Sequence, residues 1–363
     1  MILKNATALV FDSTSKTFES KAVALEKAEE GETVVAILYT TICSSDLHTY
    51  CGRRPLDSPT ILGHEIVGKI VHLPTTNTKD YTNQELALGD WVTWCVYAYE
   101  ADDPMAQKGY PQKSTSLYKY GHHPFHHQEL NGGFATHCVL KKGTAIFKLD
   151  PRLSLKEIAP LNCTHATIAG GIRLAGSLVN QTVLIYGAGM LGLSAAAMIS
   201  TLGAKQVILC DLNRERLVLA KKFGADLILD SQLTTAEKKQ ILLKSNLSLD
   251  VVIDTTGIPK VMEEGIELLS IGGISVWIGA VFNQPPTSIN AEMVVRKLLT
   301  IKGLHNYIPE DLATAIQFLT RYHTRFPFED LVSAEFQLKD LADAFETASI
   351  GEHYRVGITP TSH

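Results

Sequence analysis

A chain of 363 residues, 45% hydrophobic and 20% charged, has the composition of an ordinary soluble globular protein, and its length favours two domains over one. A formal net charge of -5 gives no global attraction to nucleic acid or acidic membranes, so a small molecule is the expected partner. The cysteines Cys43, Cys51, Cys95, Cys138, Cys163 and Cys210 are widely spread in a chain too long to need a disulfide framework. They read as reduced, and with no secretory signal visible in MILKNATALVFDS the expected compartment is the cytoplasm.

Up to about residue 150 the chain carries short β-type runs, TALVFD, TVVAILYT, EIVGKIVHL and DWVTWCVYAY, separated by Gly, Pro, Asn and Asp. These predict a β-rich, barrel-like module. From about 155 apolar strands alternate with amphipathic helices: VLIYGAG, QVILCD, DLILD, DVVIDTTG and ISVWIGA, with NRERLVLAKKFGA among the helical stretches. That rhythm predicts an α/β doubly wound parallel sheet. The charge-free run from Leu174 to Ala204 has the length of a membrane helix, but Asn180, Gln181 and Thr182 precede its β-rich start and glycines interrupt it. A buried strand turning into a packed helix is the expectation there. After about 307 the helical EDLATAIQFLTRY, the β-like SAEFQL and a helix near LADAFETA leave the alternating pattern and are expected to rejoin the first module. The predicted domains are therefore 1–155 with 307–363, and 156–306.

VLIYGAGMLG places Gly187, Gly189 and Gly192, with Met190 and Leu191 between the last two, in a G-x-G-x-x-G pattern between a strand and a helix. The glycines allow a tight turn, close approach of a pyrophosphate, and close helix–strand packing, while the helix N-terminus faces the negative charge. The next strand ends in Asp211, 19 positions after Gly192, where a carboxylate accepts hydrogen bonds from ribose hydroxyls and repels a 2′-phosphate. NAD is expected over NADP, with Arg214 the residue that could oppose that preference.

Cys43, His64 and Cys163 together offer two thiolates and an imidazole, a set that leaves a fourth position of a zinc ion open for water or substrate. Taken singly, each also reads as an ordinary buried core side chain.

With those segments in view, the sequence resembles the zinc-containing alcohol dehydrogenases of the medium-chain dehydrogenase/reductase superfamily along essentially its whole length, as a GroES-like part, a Rossmann domain and a C-terminal return. LHTYCGRRP, PTILGHEIVG, PQK followed by LYKYGH, and TIKGLHNYIPEDL most closely resemble the subgroup associated with phosphonate catabolism. The resemblance implies one catalytic zinc per chain on Cys43, His64 and Cys163, with Glu65 close enough to exchange onto the metal and Asp46 orienting His64. It implies that Ser45 touches the substrate hydroxyl and that His48 continues the proton path. Thr167 would pack against the nicotinamide, the main chain at Ile278 and Ala280 would meet its carboxamide, and Arg355 would pair with the pyrophosphate. As an isolated arginine in a polar stretch, Arg355 also reads as a solvated surface cation. A homodimer or homotetramer is the family expectation.

Many relatives carry a lobe with structural-zinc cysteines spaced C-x2-C-x2-C-x7-C, and here those positions are Glu100, Asp103, Ala106 and Ser114, which cannot form a thiolate site. Cys95 lies outside that pattern and looks like a core residue, and Ser44 replaces a commoner glycine or arginine. The run His122-His123-Pro124-Phe125-His126-His127 is expected to be an exposed loop rather than a metal site. Arg54 aligns with a position that lines the substrate cleft and carries an apolar side chain in simple alcohol dehydrogenases, which points to a phosphonate- or phosphate-bearing alcohol. The competing placement for Arg54, with Arg53, is a solvated loop rim. Other functions open to this fold are a zinc-free reductase resembling quinone oxidoreductases, a polyol or cyclitol dehydrogenase, and a non-enzymatic dinucleotide-binding protein.

Overall fold

The computed structural model describes residues 5–25, 29–56, 59–75, 78–125 and 129–360. The chain forms two compact units, Met1–Cys163 with Ile308–His323 and Phe328–His363, and Thr164–Tyr307 with Thr324–Pro327. Residues 156–163, expected in the second unit, fall in the first. Their 3-10 turn Ala159–Asn162 packs on the first unit's strands, and Asn162 Nδ2 donates to the Trp94 carbonyl at 3.0 Å.

In chain order the first unit contains β1 (Ala6–Asp12), β2 (Thr17–Val23), β3 (Thr33–Ile42), α1 (Ser44–Tyr50), β4 (Glu65–His72), β5 (Trp91–Ala98), α2 (Pro104–Gln107), β6 (Tyr118–Lys119), β7 (His137–Leu140), β8 (Thr144–Lys148) and α3 (Leu155–Ile158). The second unit contains α4 (Thr164–Ala175), β9 (Thr182–Tyr186), α5 (Met190–Ser200), β10 (Gln206–Asp211), α6 (Arg214–Ala220), β11 (Leu227–Asp230), α7 (Thr235–Lys244), β12 (Val251–Asp254), α8 (Pro259–Leu268), β13 (Ile274–Trp277), α9 (Ala291–Lys297) and β14 (Thr300–Gly303). The chain then returns to the first unit through α10 (Pro309–Tyr322), β15 (Val332–Gln337), α11 (Leu341–Ser349) and β16 (Arg355–Thr359).

The first unit is built on an eight-stranded sheet of order β15-β16-β3-β4-β5-β6, with β7 also pairing with β3 and β8 with β5. All these pairings are antiparallel except β15 with β16, and β1 and β2 form a separate antiparallel ribbon. Alternate residues of β3 and β4 turn Val35, Ile37, Ile66 and Ile70 into a core shared with Trp94 and Tyr120. A second core joins Phe11, Phe134, Leu341, Phe345 and Ile358, so α11 is held by rings from the ribbon and by the returning strand. Burying a ring such as Phe345 contributes about 1.5–3 kcal/mol, which fixes the last strand against β3.

The second unit is a six-stranded parallel sheet of order β11-β10-β9-β12-β13-β14. Strand β9 is buried throughout, as a central parallel strand must be. The order runs outward from β9 in both directions, which puts a topological switch at its C-terminal end, where the glycine-rich loop begins. Helix α5, with Ala195, Ala196 and Ala197 fully buried, packs against β9, β10 and α4. The run from Leu174 to Ala204 thus divides between the end of α4, β9 and α5, and among the described residues no helix is long and apolar enough to cross a membrane.

Candidate metal and dinucleotide sites

Helix α1 begins directly after β3 because Cys43 is its N-cap and Asp46, at the third helical position, accepts the Cys43 N–H at 2.9 Å. The same carboxylate accepts the Gly63 N–H and lies against His64 Nδ1, each at 3.3 Å, so one buried side chain fixes both segments. His64 follows the turn at Gly63 and precedes β4, and its Nε2 is 3.2 Å from Ser45 Oγ. Cys163 ends the first unit's 3-10 turn, which Asn162 locks by accepting the Ile66 N–H as well as donating to Trp94.

These constraints bring Cys43, His64 and Cys163 together, with their ligand atoms all within 4.8 Å and the sulfurs 3.9 Å apart. Two sulfurs each bonded to a tetrahedral zinc at its usual length would be about 3.8 Å apart, so the donor set and spacing fit zinc. The local charge fits too. The hydrogen bond from Cys163 and then the Arg355 cation draw the Cys43 thiol well below its ordinary value despite its burial, while Cys163 is raised. Burial alone would lower His64, but Asp46 and Cys43 lift it to about 10. The pocket therefore favours positive charge on the imidazole, and a dication is a stronger way of meeting the same field.

Glu65 is fully buried and lies outside this cluster. It accepts from Arg355 Nε at 2.6 Å, from Arg355 Nη2 at 2.7 Å and from Thr41 Oγ1 at 2.5 Å. Arg355 is not the solvated surface cation that its polar stretch suggests. It is 4% exposed, on β16, and besides Glu65 it donates from Nη1 to the Tyr354 carbonyl and lies 3.5 Å from Cys43 Sγ through Nη2. Burial demands a counter-ion, and Glu65 supplies it.

Three basic side chains lie within electrostatic reach of this cluster. Arg54, half-buried, is lowered by burial while the charges of Asp46, Cys43 and Cys163 act to raise it. Lys119, half-buried on β6, is lowered to about 8 by burial and then by Arg54, with Cys163 also in electrostatic reach. His122 packs its ring 5.3 Å from that of His64, and burial and then Lys119 push it well below its usual value. The hairpin carrying it can approach because Gly121 has no side chain: a Cβ there would lie 2.5 Å from the Gly63 carbonyl oxygen. The expected exposed histidine loop is therefore wrong for His122, and His126 and His127 lie outside the described residues. Arg54 is not on a solvated rim. Sequence reasoning missed Lys119, although it had singled out the LYKYGH segment. His48, on α1, is lowered by burial and then by Arg53.

In the second unit, Gly187 turns the chain after β9 with φ +97°, and a Cβ on Gly192 would fall 1.7 Å from the Gly187 carbonyl oxygen. Helix α5 starts at Met190, followed by Leu191, with no side-chain cap from Gly189, and space is open within 4 Å of a Cβ there. Uncapped N–H groups beside open space form an anion site of the kind a dinucleotide pyrophosphate uses. Asp211 ends β10 and accepts the N–H groups of Ala188 at 2.5 Å and Asn213 at 2.7 Å, tying the glycine loop to the strand end. Thr167 is half-buried on α4, Ile278 is buried after β13, and Ala280 is exposed beyond it.

In the cysteine-free lobe, Asp103 caps α2, accepting from Met105 and Ala106 N–H, and also accepts from Thr115 N–H at 2.9 Å and Thr115 Oγ1 at 2.6 Å. Cys95 is fully buried in β5.

Comparison with known proteins agrees with this arrangement. Residues 29–151 match the family described as alcohol dehydrogenase GroES-like domain, and residues 191–321 the family described as zinc-binding dehydrogenase. The chain belongs to the zinc-type medium-chain alcohol dehydrogenase superfamily. An alcohol dehydrogenase from Thermotoga maritima is similar in structure with a TM-score of 0.92 and 26% identity, covering 98% of this chain and 100% of that one. The 5-exo-hydroxycamphor dehydrogenase of Pseudomonas putida is 27% identical, over 88% of this chain and 90% of that protein. The sorbitol dehydrogenase of Halalkalibacterium halodurans is 28% identical, over 90% of this chain and 91% of that protein. Membership of this superfamily makes the chain an oxidoreductase of the alcohol and polyol dehydrogenase type.

Proposed function

We propose that this chain is an NAD-dependent dehydrogenase that binds one zinc on Cys43, His64 and Cys163 and interconverts an alcohol with its carbonyl compound. The observation that carries this reading is the convergence of two thiols and an imidazole at zinc spacing beside a serine hydroxyl. When bound, the ion supplies Lewis acidity that makes an alcohol oxygen acidic near neutral pH, and the nicotinamide supplies a hydride acceptor. Asp46 holds the His64 ring by Nδ1, leaving Nε2 as the ligand atom on the side of Ser45. Ser45 Oγ takes the hydroxyl proton of the substrate, and His48, on the same helix, passes it towards water. Burial and the neighbouring Arg53 keep His48 predominantly neutral at pH 7, as a proton acceptor must be.

Thr167, Ile278 and Ala280 are assigned to the nicotinamide, and Gly187, Gly189 and Gly192 to the pyrophosphate. Asp211 is assigned to the adenosine ribose, which favours NAD. Arg54, with Lys119 behind it, favours an alcohol bearing a phosphonate or phosphate group. The names of relatives such as sorbitol dehydrogenase support a neutral polyol as the second reading. The test is a panel of phosphorylated, phosphonylated and neutral alcohols and polyols with NAD, reading NADH formation before and after chelation of the metal. NADH formation that depends on zinc supports the proposal. Absence of zinc from freshly purified protein, or turnover unaffected by its removal, would refute it.

A further inference from the structure

His122 stands beside the metal cluster, takes no part in the proposed proton path, and is held there by the backbone. Its ring centroid is 5.3 Å from that of His64, with 49° between the planes. The turn that carries it is pinned on both sides. Tyr120 N–H donates to the Val96 carbonyl at 2.9 Å, Gly121 N–H to the Asn131 carbonyl at 2.7 Å, and His122 N–H to the Lys119 carbonyl at 3.3 Å. Gly121 has φ +72°, and because it carries no Cβ the turn lies directly on Gly63, the residue before His64. Gly133 N–H donates to the Gly63 carbonyl at 2.8 Å, so the loop bearing His64 is fastened to this stretch twice.

The two ring nitrogens of His122 have different surroundings. Nδ1 lies 3.1 Å from the Tyr120 carbonyl oxygen, which can only accept, so Nδ1 carries the hydrogen. Nε2 of the neutral ring is then an acceptor, and among the described residues nothing donates to it. His122 is also outside the group of side chains whose ligand atoms converge within 4.8 Å, which leaves its lone pair to something other than the ion. Ser45 Oγ is 3.2 Å from Nε2 of the same His64 ring against which His122 packs. Ser45 and His122 are thus neighbours of one imidazole, and a substrate whose reacting hydroxyl lies at Ser45 has its adjoining carbons beside that ring. We infer that His122 is a specificity-determining residue whose Nε2 accepts a hydrogen bond from a second substrate hydroxyl, one or two carbons from the one oxidised. This rests on the dehydrogenase reading for the word substrate and sharpens it, since a diol segment is preferred over a simple alcohol whatever else the molecule carries. An acceptor built to meet a hydroxyl discriminates against the analogue lacking it, because the acceptor is then left without a partner.

The experiment loads the full-length protein with cobalt(II) in place of zinc and follows the visible metal bands during titration with 1-propanol, 1,2-propanediol and 1,3-propanediol. Turnover of the same alcohols by the zinc-loaded protein with NAD is measured alongside. Wild type is compared with His122→Phe, which keeps an aromatic ring against His64 but has no acceptor, and with His122→Gln, whose side-chain carbonyl can stand in for Nε2. Wild type should bind the better of the diols about five- to tenfold more tightly than 1-propanol, the range of one neutral hydrogen bond. His122→Phe should lose that preference with its affinity for 1-propanol unchanged, and His122→Gln should retain part of it. Equal affinity of wild type for 1-propanol and both diols, or a diol preference undiminished in His122→Phe, would overturn the inference. Equal kcat/KM of wild type for all these alcohols would also overturn it and leave the dehydrogenase reading standing. Diol-selective binding that needs His122, in a protein that forms no NADH from any of the alcohols, would sustain the hydrogen bond and count against the dehydrogenase reading, so the two fail separately.

Discussion

Ser45 and Lys119 sit at the same cluster and make opposite demands on the fold. In the proposed mechanism Ser45 acts through a proton, so Ser45→Ala and His48→Ala are expected to lower kcat by about 10²- to 10⁴-fold while zinc content and NAD affinity are retained. Steady-state kinetics alongside metal analysis checks this, and unchanged kcat in both variants with chemistry rate-limiting would remove them from the mechanism. Lys119 acts through a charge the fold resists. Its value of about 8, against an ordinary 10.5, means that the unfolded chain holds the proton more tightly. The wild-type penalty is therefore complete below about pH 8 and fades as pH rises towards 10.5. Lys119→Gln should stabilise the protein at pH 7 by about 1–2 kcal/mol after allowance for solvent screening, with the gain vanishing near pH 10.5, as read by denaturant melts. Cys43, His64 and Cys163, the proposed zinc ligands that the structure brings together, could be named from sequence because each lies in a short local motif. The role of Arg355 could not, since its counter-ion Glu65 is 290 positions away and nothing near Arg355 announces it.

At the level of elements, the loop from β9 to α5 and the end of β10 act as one device. Asp211, assigned above to the ribose, holds Ala188 in the glycine loop. Asp211→Ser is accordingly expected to weaken NAD binding and to narrow the preference over NADP, measured as kcat/KM with each cofactor. A wild type that uses NADP with the higher kcat/KM would overturn the assignment and turn attention to Arg214. The strands of this unit were legible because buried parallel strands are continuous apolar runs, as in TVLIY and QVILCD. The first unit was harder to foresee. In β2 the run TFESKAV is mostly exposed and offers no apolar stripe. The position of Lys119 on a two-residue strand had no periodic signal at all.

For the molecule as a whole, the expected metal content is near one zinc per chain, from Cys43, His64 and Cys163. Elemental analysis near two equivalents, with the second ion in the lobe from Glu100 to Ser114, would show that ligand assignment to be wrong. That lobe is fastened by Asp103, whose pKa is held far below the usual carboxylate range, chiefly by the Thr115 hydroxyl. Asp103→Ala should expose residues 100–115 to limited proteolysis and lower the melting temperature, whereas chelator treatment of wild type should stop turnover and leave that cleavage pattern unchanged. The carboxylate clasp also alters how the chain ages under oxidants. A thiolate cage loses both its ion and its shape when peroxide attacks sulfur, but an aspartate bonded to backbone and hydroxyl groups offers peroxide nothing to oxidise. Oxidative injury to this protein should then centre on Cys43 and Cys163, appearing as lost activity in a lobe-intact molecule that thiol reduction and fresh zinc can restore while the sulfurs remain at the reversible stage.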